Sequence, residues 1–245
     1  MNKTVILTLT AAALLSTTDA VAQLKYPATA KDNTVDEYFG EKVADPYRWL
    51  ENDTSAATAE WVREENLVSR KYLDNIPMRK AILKRLKETA NYEKRGMAFE
   101  RGGKWYAYRN DGLQNQSVLY QMDRYDAPVS KWRVWLDPNT LSTDGTVALK
   151  STTFSHDGKY MAYVISRNGS DWEEIYVKDV ATGKTLDDHI VWAKFTKATW
   201  VGDGFYYSAY DAPEKGKETS AKNSVQKIRS EERRGGEEGR SRWSP

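Results

Sequence analysis

Apolar residues recur along the chain at two different periods, and the change between them falls near Asn91. Before that point the spacing is helical, and Asp53 offers a cap in front of the first helix. The apolar positions that fall on one face of this helix are Ala57, Trp61, Val68 and Tyr72. A second helix is predicted from Pro77, which suits a first turn, to about Glu88, with its apolar positions at Ile82, Leu83 and Leu86.

Beyond Asn91 the period is two, and short strands rich in Tyr, Trp and Val alternate with turns that contain glycine. Three segments resemble one another, and their leading glycines stand 55 and then 46 residues apart: Gly103–Tyr108, Gly158–Tyr163 and Gly204–Ser208. A repeat of about 50 residues with several strands in each unit is typical of propeller blades. The middle repeat is predicted to place a tight turn at His156-Asp157-Gly158 before a strand over Tyr160–Ser166. Residues 91–228 supply at most three blades.

Composition supports a globular β-rich body. The chain of 245 residues is 40% hydrophobic and 29% charged, and its 9 Trp, 15 Tyr and 5 Phe favour strands and bury large areas. The net charge of +2 offers no basic field for nucleic acid. The absence of Cys excludes disulfides, thiolate catalysis and Cys-ligated metal sites.

Both ends of the chain depart from the globular pattern. Lys3, the apolar run Val5–Leu15 and Ala20-Val21-Ala22 predict a signal peptide over residues 1–22, cut before Gln23. The alternative is a membrane anchor, but a bilayer crossing needs about 20 apolar residues. We therefore expect export, to a periplasm, and no membrane association after cleavage. Residues 229–245 have no period, and we interpret them as a disordered tail or as a translated adapter joined to a truncated frame.

No catalytic motif is visible. The sequence contains no Gly-x-Ser-x-Gly elbow, no phosphate-binding glycine loop and no His-Glu-x-x-His pair, so no catalytic centre is recognisable. Of the two histidines, His156 is expected to be exposed in its turn, and His189 lies beside Asp187 and Asp188. The carboxylate pairs Glu64-Glu65 and Glu173-Glu174 are interpreted as solvated faces rather than acid/base pairs.

Several motifs, in order and spacing, resemble prolyl oligopeptidases over about Tyr26–Lys227. They are DPYRWLE at Asp45–Glu51, GLQNQSVLY at Gly112–Tyr120, LDPN at Leu136–Asn139, DGT at Asp144–Thr146, FSxDG at Phe154–Gly158 and GSDW at Gly169–Trp172. The resemblance implies a mainly β chain: a partial seven-bladed β-propeller preceded by a helical N-terminal arm of an α/β-hydrolase domain. Residues 23–90 would be the arm, and 91–228 the first two to three blades.

The resemblance also implies an activity. This family of serine endopeptidases hydrolyses short peptides after proline with Ser, His and Asp groups that lie in its C-terminal stretch, and none of them maps onto this sequence. The chain is therefore interpreted as an N-terminal fragment, inactive alone, of an enzyme that needs no cofactor and is a monomer when full length. The alternative is an exported β-propeller binding module without catalytic activity.

Two positions resemble residues that face the substrate in this family. Phe195 resembles an apolar wall for a distal part of the peptide, and its alternative is a place in the blade core. Asp171 resembles a loop acid that pairs with an Arg of the hydrolase domain near the proline pocket. Its alternative is an Asp that caps its own turn.

Overall fold

The computed structural model describes residues 24–218 and 221–232. The chain divides into two compact units, residues 1–79 and residues 80–245. The predicted signal peptide at residues 1–22 lies outside the described residues, as do residues 233–245 of the predicted tail. Export and the origin of the tail therefore stay predictions.

The first unit begins with a β-hairpin made of β1 (Val35–Tyr38) and β2 (Glu41–Ala44). Its two-residue turn is Phe39-Gly40, and both residues have positive φ, 53° and 86°, as a type I′ turn requires. The Phe39 side chain is fully exposed at the tip. Arg48 opens a short 3-10 helix and bridges two carboxylates: Asp36 of β1, and Asp45 through a 2.6 Å bond from its Nε.

Helix α1 spans Ala56–Asp74, which confirms the first predicted helix. The capping residue is Ser55 rather than Asp53, because the Ser55 hydroxyl accepts a 3.1 Å bond from the amide of Thr58. The indole of Trp61 donates to the Thr29 hydroxyl at 3.0 Å and that of Trp49 donates to the Ala30 carbonyl at 2.9 Å. These two bonds attach the extended N-terminal segment to the helical part of the unit.

Helix α2 spans Arg79–Ala90 and confirms the second predicted helix, with both ends shifted two residues along the chain. Its apolar positions Ile82, Leu83 and Leu86 are each about half exposed, as is Tyr72 of α1. On α1, Trp61 and Val68 of the predicted face are partly buried, but Ala57 is exposed and the buried residue is Thr58. The periodicity thus predicted the helices, but within the described residues the predicted apolar faces are covered only in part.

The second unit is built from antiparallel strands, and its first sheet has the order β3-β5-β6-β7, with β4 also paired to β5. We call this sheet blade 1. Its strands are β3 (Lys94–Arg95), β4 (Phe99–Arg101), β5 (Lys104–Asn110), β6 (Val118–Met122) and β7 (Arg133–Leu136).

Blade 2 is a four-stranded meander in which each strand pairs with the next in sequence. Its strands are β8 (Ala148–Phe154), β9 (Tyr160–Ser166), β10 (Glu173–Asp179) and β11 (Thr185–Ala193). The strands β12 (Thr199–Val201), β13 (Gly204–Ala209) and β14 (Lys227–Glu231) form blade 3. Within the described residues, blade 3 joins the outer strand of blade 2 through one residue pair, Ala193 with Ala209.

The sheets stack face to face, and blade 2 is buried on both sides. Tyr163 and Ile165 point into a core shared with Tyr106 and Leu119 of blade 1. The alternate residues of β9, including Val164, point into a second core with residues of β10, β12 and β13. Strand β9 is apolar throughout because its alternate side chains enter two different cores, as expected for a blade that stacks on a neighbour at each face.

The predicted turn at His156-Asp157-Gly158 is present, and a side-chain network closes it. The Ser155 hydroxyl donates to Asp157 at 2.7 Å and accepts from the Tyr160 amide at 2.9 Å. Hydrogen bonds from Lys159, and then from Ser155, lower the pKa of Asp157. Gly158 has a φ of 71°, which explains the glycine at this position.

Strand β14 extends past residue 228, the predicted last residue of the propeller, into the segment that is predicted to be a tail. Arg229 pairs with Tyr207 in the sheet, and its guanidinium contacts Asp211 at 2.8 Å. The sheet thus continues to Glu231 through main-chain pairing, which needs no apolar alternation in the side chains.

Candidate functional site

Three connections of the second unit meet at one end of blade 2. The connections after β9 and β11 emerge on the same side because β10 runs antiparallel between these two strands. The connection after β13 joins them because Ala209, the last residue of β13, pairs with Ala193, the last residue of β11. We call this region the loop cluster: Asp171, Trp172, Trp192, Lys194, Phe195, Tyr210 and Glu218.

Asp171 lies in the connection between β9 and β10. Asn168 and Gly169 turn the chain with φ values of 53° and 70°, and the Ser170 amide donates to the Arg167 carbonyl at 2.9 Å. The Ser170 hydroxyl, not the Asp171 carboxylate, accepts the Trp172 amide at 3.1 Å. The Asp171 side chain is exposed and makes no hydrogen bond within the described part of the chain.

Trp172 is the centre of the loop cluster. Its indole N–H donates to the Glu218 carbonyl at 2.6 Å, which attaches the segment after β13. Trp192 and Tyr210 lie edge-on to the indole, with ring centroids 5.3 Å and 6.1 Å away. The Lys194 ammonium lies 4.0 Å from the ring centroid, in cation–π geometry.

Phe195 is 78% exposed and has a φ of 50°, so it is not part of the blade core. Trp192, three residues earlier, also has positive φ, 61°. On the other side of Phe195, the Thr196 amide donates to the Glu173 carboxylate at 3.1 Å. Glu173 is only 4% exposed, so the expectation that the Glu173-Glu174 pair is a solvated face is wrong for this residue.

Glu174 is also engaged, as the acceptor of three donors. It accepts from Arg167 at 2.7 Å, from the Tyr176 hydroxyl at 2.5 Å and from His189 Nε2 at 2.9 Å. Burial raises the pKa of Glu174, but these hydrogen bonds outweigh burial and the pKa is lowered. His189 stacks on Tyr176, with centroids 4.5 Å apart, and its hydrogen-bond partner is Glu174 rather than a neighbouring Asp.

His156 is exposed, as predicted, and its Nε2 lies 3.2 Å from the Trp200 carbonyl of blade 3. Neither histidine shows a hydrogen bond to a Ser or Thr hydroxyl among the described residues, so no nucleophile and base meet there. In residues 24–218 and 221–232 no group of three or more His, Asp or Glu side chains is arranged to hold a metal ion. No helix in this same part of the chain is long and apolar enough to span a bilayer.

The loop cluster is the candidate binding surface among the described residues. It offers an exposed aromatic ring, an exposed carboxylate and an indole that already carries a cation. Sequence analysis identified Phe195 and Asp171 but missed Trp172, Trp192 and Lys194 as a unit. Their contacts join residues about 20 positions apart across strands β10 and β11, and no local motif encodes them.

Stacked antiparallel sheets with a repeat of about 50 residues define a β-propeller. The model of the family described as "Prolyl oligopeptidase, N-terminal beta-propeller domain" matches residues 27–232. The chain belongs to this family, which confirms the resemblance seen in the sequence.

Named relatives agree with this assignment. The prolyl endopeptidase of Elizabethkingia miricola is 44% identical over 206 residues, and that of Dictyostelium discoideum is 32% identical over 238 residues. The matches cover 84% and 79% of this chain but only 29% and 31% of the relatives. The chain thus spans less than a third of the length of these enzymes.

Solved structures give the same picture. Prolyl oligopeptidase B from Galerina marginata, bound to a 35mer hydrolysis and macrocyclization substrate, superposes with a TM-score of 0.67 at 28% identity. The superposition covers 86% of this chain and 32% of that chain. A prolyl endopeptidase from a study of inter-domain dynamics in catalysis and specificity shares 38% identity, with a TM-score of 0.50.

Proposed function

We propose that this chain is the N-terminal, propeller-bearing portion of a serine-type prolyl oligopeptidase that hydrolyses short peptides after proline. The observation that carries the proposal is the family match over residues 27–232, together with 44% identity to a prolyl endopeptidase. We expect the chain by itself to turn over no peptide, and the lack of an assembled nucleophile and base among the described residues supports this expectation.

The role proposed for residues 23–90 is that of an arm of the α/β-hydrolase domain. The half-exposed apolar residues of α1 and α2 support it, since such faces are normally buried. In the first unit, Leu24, Leu67, Tyr72 and Ile76 also line an open groove of about 850 Å³. A hydrolase domain packed on these residues would cover them.

The loop cluster is proposed as the part of the propeller that faces the peptide. Phe195 would contact an apolar side chain distal to the cleaved bond, and Asp171 would pair with an Arg of the hydrolase domain. Exposure of both side chains supports these roles. Export to a periplasm and a monomeric whole enzyme complete the proposal, and N-terminal sequencing of the secreted protein at Gln23 would test the former.

The direct test is a chimera. Residues 27–232 of this chain, the range of the family match, replace the aligned segment of the E. miricola prolyl endopeptidase. Hydrolysis of Gly-Pro p-nitroanilide is compared with that of Gly-Ala p-nitroanilide. We expect cleavage of the proline substrate alone. The isolated chain serves as a control and should release no nitroaniline.

Two results would contradict the proposal. A soluble, monomeric chimera without activity would favour the binding module. Activity of the isolated chain that disappears on His156→Ala or His189→Ala would show a catalytic site of its own.

In an active chimera, Asp171→Asn tests the loop acid: unchanged hydrolysis would remove Asp171 from the site. Genomic DNA beyond codon 228 gives an independent check, because a continuing frame with Gly-x-Ser-x-Gly is expected.

A further inference from the structure

Phe195 is held between two anchors that come from adjacent residues. On its N-terminal side, Lys194 is fixed over the ring of Trp172, with the ammonium 4.0 Å from the ring centroid. On its C-terminal side, the Thr196 amide is fixed to the carboxylate of Glu173 at 3.1 Å. Trp172 and Glu173 thus hold the residues on either side of Phe195, and we call this arrangement the clamp.

The backbone at Phe195 shows that the clamp holds a conformation that the chain would not adopt by itself. Its φ of 50° lies in the left-handed region, which bulky residues without a stabilising environment avoid. Such conformations persist only where the surroundings determine them, and they concentrate at binding sites. The strain here projects a large aromatic ring into solvent rather than into the core.

The clamp is itself fixed at several points. Trp192 and Tyr210 lie edge-on to Trp172, and the indole N–H of Trp172 is bonded to the Glu218 carbonyl. Glu173 is buried at the start of β10, which fixes the second anchor to the sheet. The position of Phe195 is therefore defined by the rigid end of blade 2 instead of by a free loop.

We infer that Trp172, Glu173 and Lys194 are positioning residues that present Phe195 as a preformed contact for an apolar side chain upstream of the proline in a longer peptide. The inference rests on the proposed function, which supplies the contact of Phe195 with the peptide, and adds the three residues that hold the ring in place. A preoriented ring loses little conformational entropy on binding, so the clamp should lower KM for long peptides. We expect no effect on the bond-breaking step, because the Ser, His and Asp groups of the proposed enzyme belong to its C-terminal stretch.

The test uses the chimera with two substrates, Gly-Pro p-nitroanilide and Leu-Ala-Gly-Pro p-nitroanilide. Lys194→Met removes the cation but keeps the length of the side chain, and Phe195→Ala removes the contact itself. We expect both variants to raise KM for the tetrapeptide about fivefold, the scale of an exposed cation–π interaction, with kcat unchanged. KM for the dipeptide should not move. Lys197→Met, an exposed lysine three residues along the chain, is the matched control and should change neither substrate.

The outcomes separate the two proposals. Equal losses on both substrates would indicate a purely structural role for the clamp and overturn the inference, as would no change on either. A chimera that cleaves neither substrate would defeat the proposed function instead.

The clamp can also be measured by NMR in the chain as it is. The Lys194 ε-methylene protons should be shifted upfield by the Trp172 ring and identified by their disappearance in Lys194→Met. An ordinary shift would show that the clamp does not form.

Discussion

Gly102 and Gly158 lie back to back, so that the first turn of blade 1 and the first turn of blade 2 touch through their main chains. A Cβ atom added to Gly158 would stand 2.2 Å from the Cα of Gly102, closer than any real contact. Both residues have positive φ, 57° and 71°. Gly158, which leads the second repeat in the sequence, thus also sets how closely these two blades approach, and its partner is Gly102 rather than the repeat glycine Gly103.

We therefore expect Gly158→Ala to lower the free energy of unfolding by about 3 kcal/mol or more, through left-handed strain and a main-chain clash together. Gly103→Ala is the matched control, since Gly103 has a φ of 72° with open space around it. It should cost about 1 kcal/mol, from strain alone. Urea unfolding of both variants measures the difference. Equal losses would mean that the two turns do not pack this closely in solution.

Gln116 joins blade 1 to the first strand of blade 2. Its side-chain amide donates to the Val147 carbonyl at 2.6 Å and accepts from the Leu149 amide at 2.7 Å. Gln116→Leu would leave two main-chain groups without partners, so we expect a loss of about 2 to 4 kcal/mol in urea unfolding. Asn115→Ala is the control, because it removes one exposed bond, to the Gly145 carbonyl. A loss at Gln116 no larger than at Asn115 would contradict the role of this bridge.

Glu93 gives the second unit an acid-sensitive contact. Its carboxylate accepts from Arg95 and, at 2.7 Å, from Arg109 of β5, and these bonds lower its pKa from 4.5 to about 2. A depressed pKa contributes stability that is fully present above pH 4.5 and is lost as the pH falls towards 2. Glu93→Gln should therefore unfold in urea with a smaller dependence on pH between 5 and 2.5 than the parent chain.

The control for this experiment is Asp187→Asn, at an exposed carboxylate of β11. It should retain the full pH dependence of the parent. Because the Glu93 contact is largely exposed, 1 M salt should reduce the difference between Glu93→Gln and the parent. A Glu93→Gln variant whose pH dependence matches that of Asp187→Asn would show that the ion pairs are not formed.

The hairpin tip carries an aromatic residue in a conformation that suits asparagine. Phe39 is fully exposed and has a φ of 53°, and asparagine tolerates the left-handed region far better than phenylalanine. We expect Phe39→Asn to stabilise the first unit by about 0.5 to 1 kcal/mol in thermal unfolding. Phe39→Ala, which removes the ring without that preference, should not. If both variants behave alike, the backbone at this turn is not strained.

The sequence predicted the blades because period-two alternation and a glycine at each turn are local signals. Tyr160–Ser166 was predicted with the bounds that the structure shows, since its turn at Gly158 and its apolar run leave little choice. Helix ends were less accurate: Asp53 and Ser55 are both good caps, and only the bond from Thr58 to the Ser55 hydroxyl decides between them.

Contacts between residues that are far apart in sequence could not be predicted from local patterns. In the sequence, nothing distinguishes Glu173 from an exposed charged residue of a strand. In the structure, its carboxylate accepts a hydrogen bond from the amide of Thr196, which is 23 residues away in sequence. The cation–π pair of Trp172 and Lys194 likewise depends on two left-handed residues that carry bulky side chains, which no propensity favours. The family resemblance pointed to Phe195 and Asp171, but not to Trp172 and Glu173, which hold the residues on either side of Phe195.

Within the described residues, blade 3 is joined to blade 2 by the single pair of Ala193 and Ala209, whereas β9 and β10 are paired along their whole length. Removal or duplication of an entire blade would consequently change few main-chain hydrogen bonds between β11 and β13. A break inside a blade would disrupt a full strand pairing. Main-chain pairing is thus concentrated inside each blade, and the apolar core that blades 2 and 3 share contributes most of what holds the two blades together.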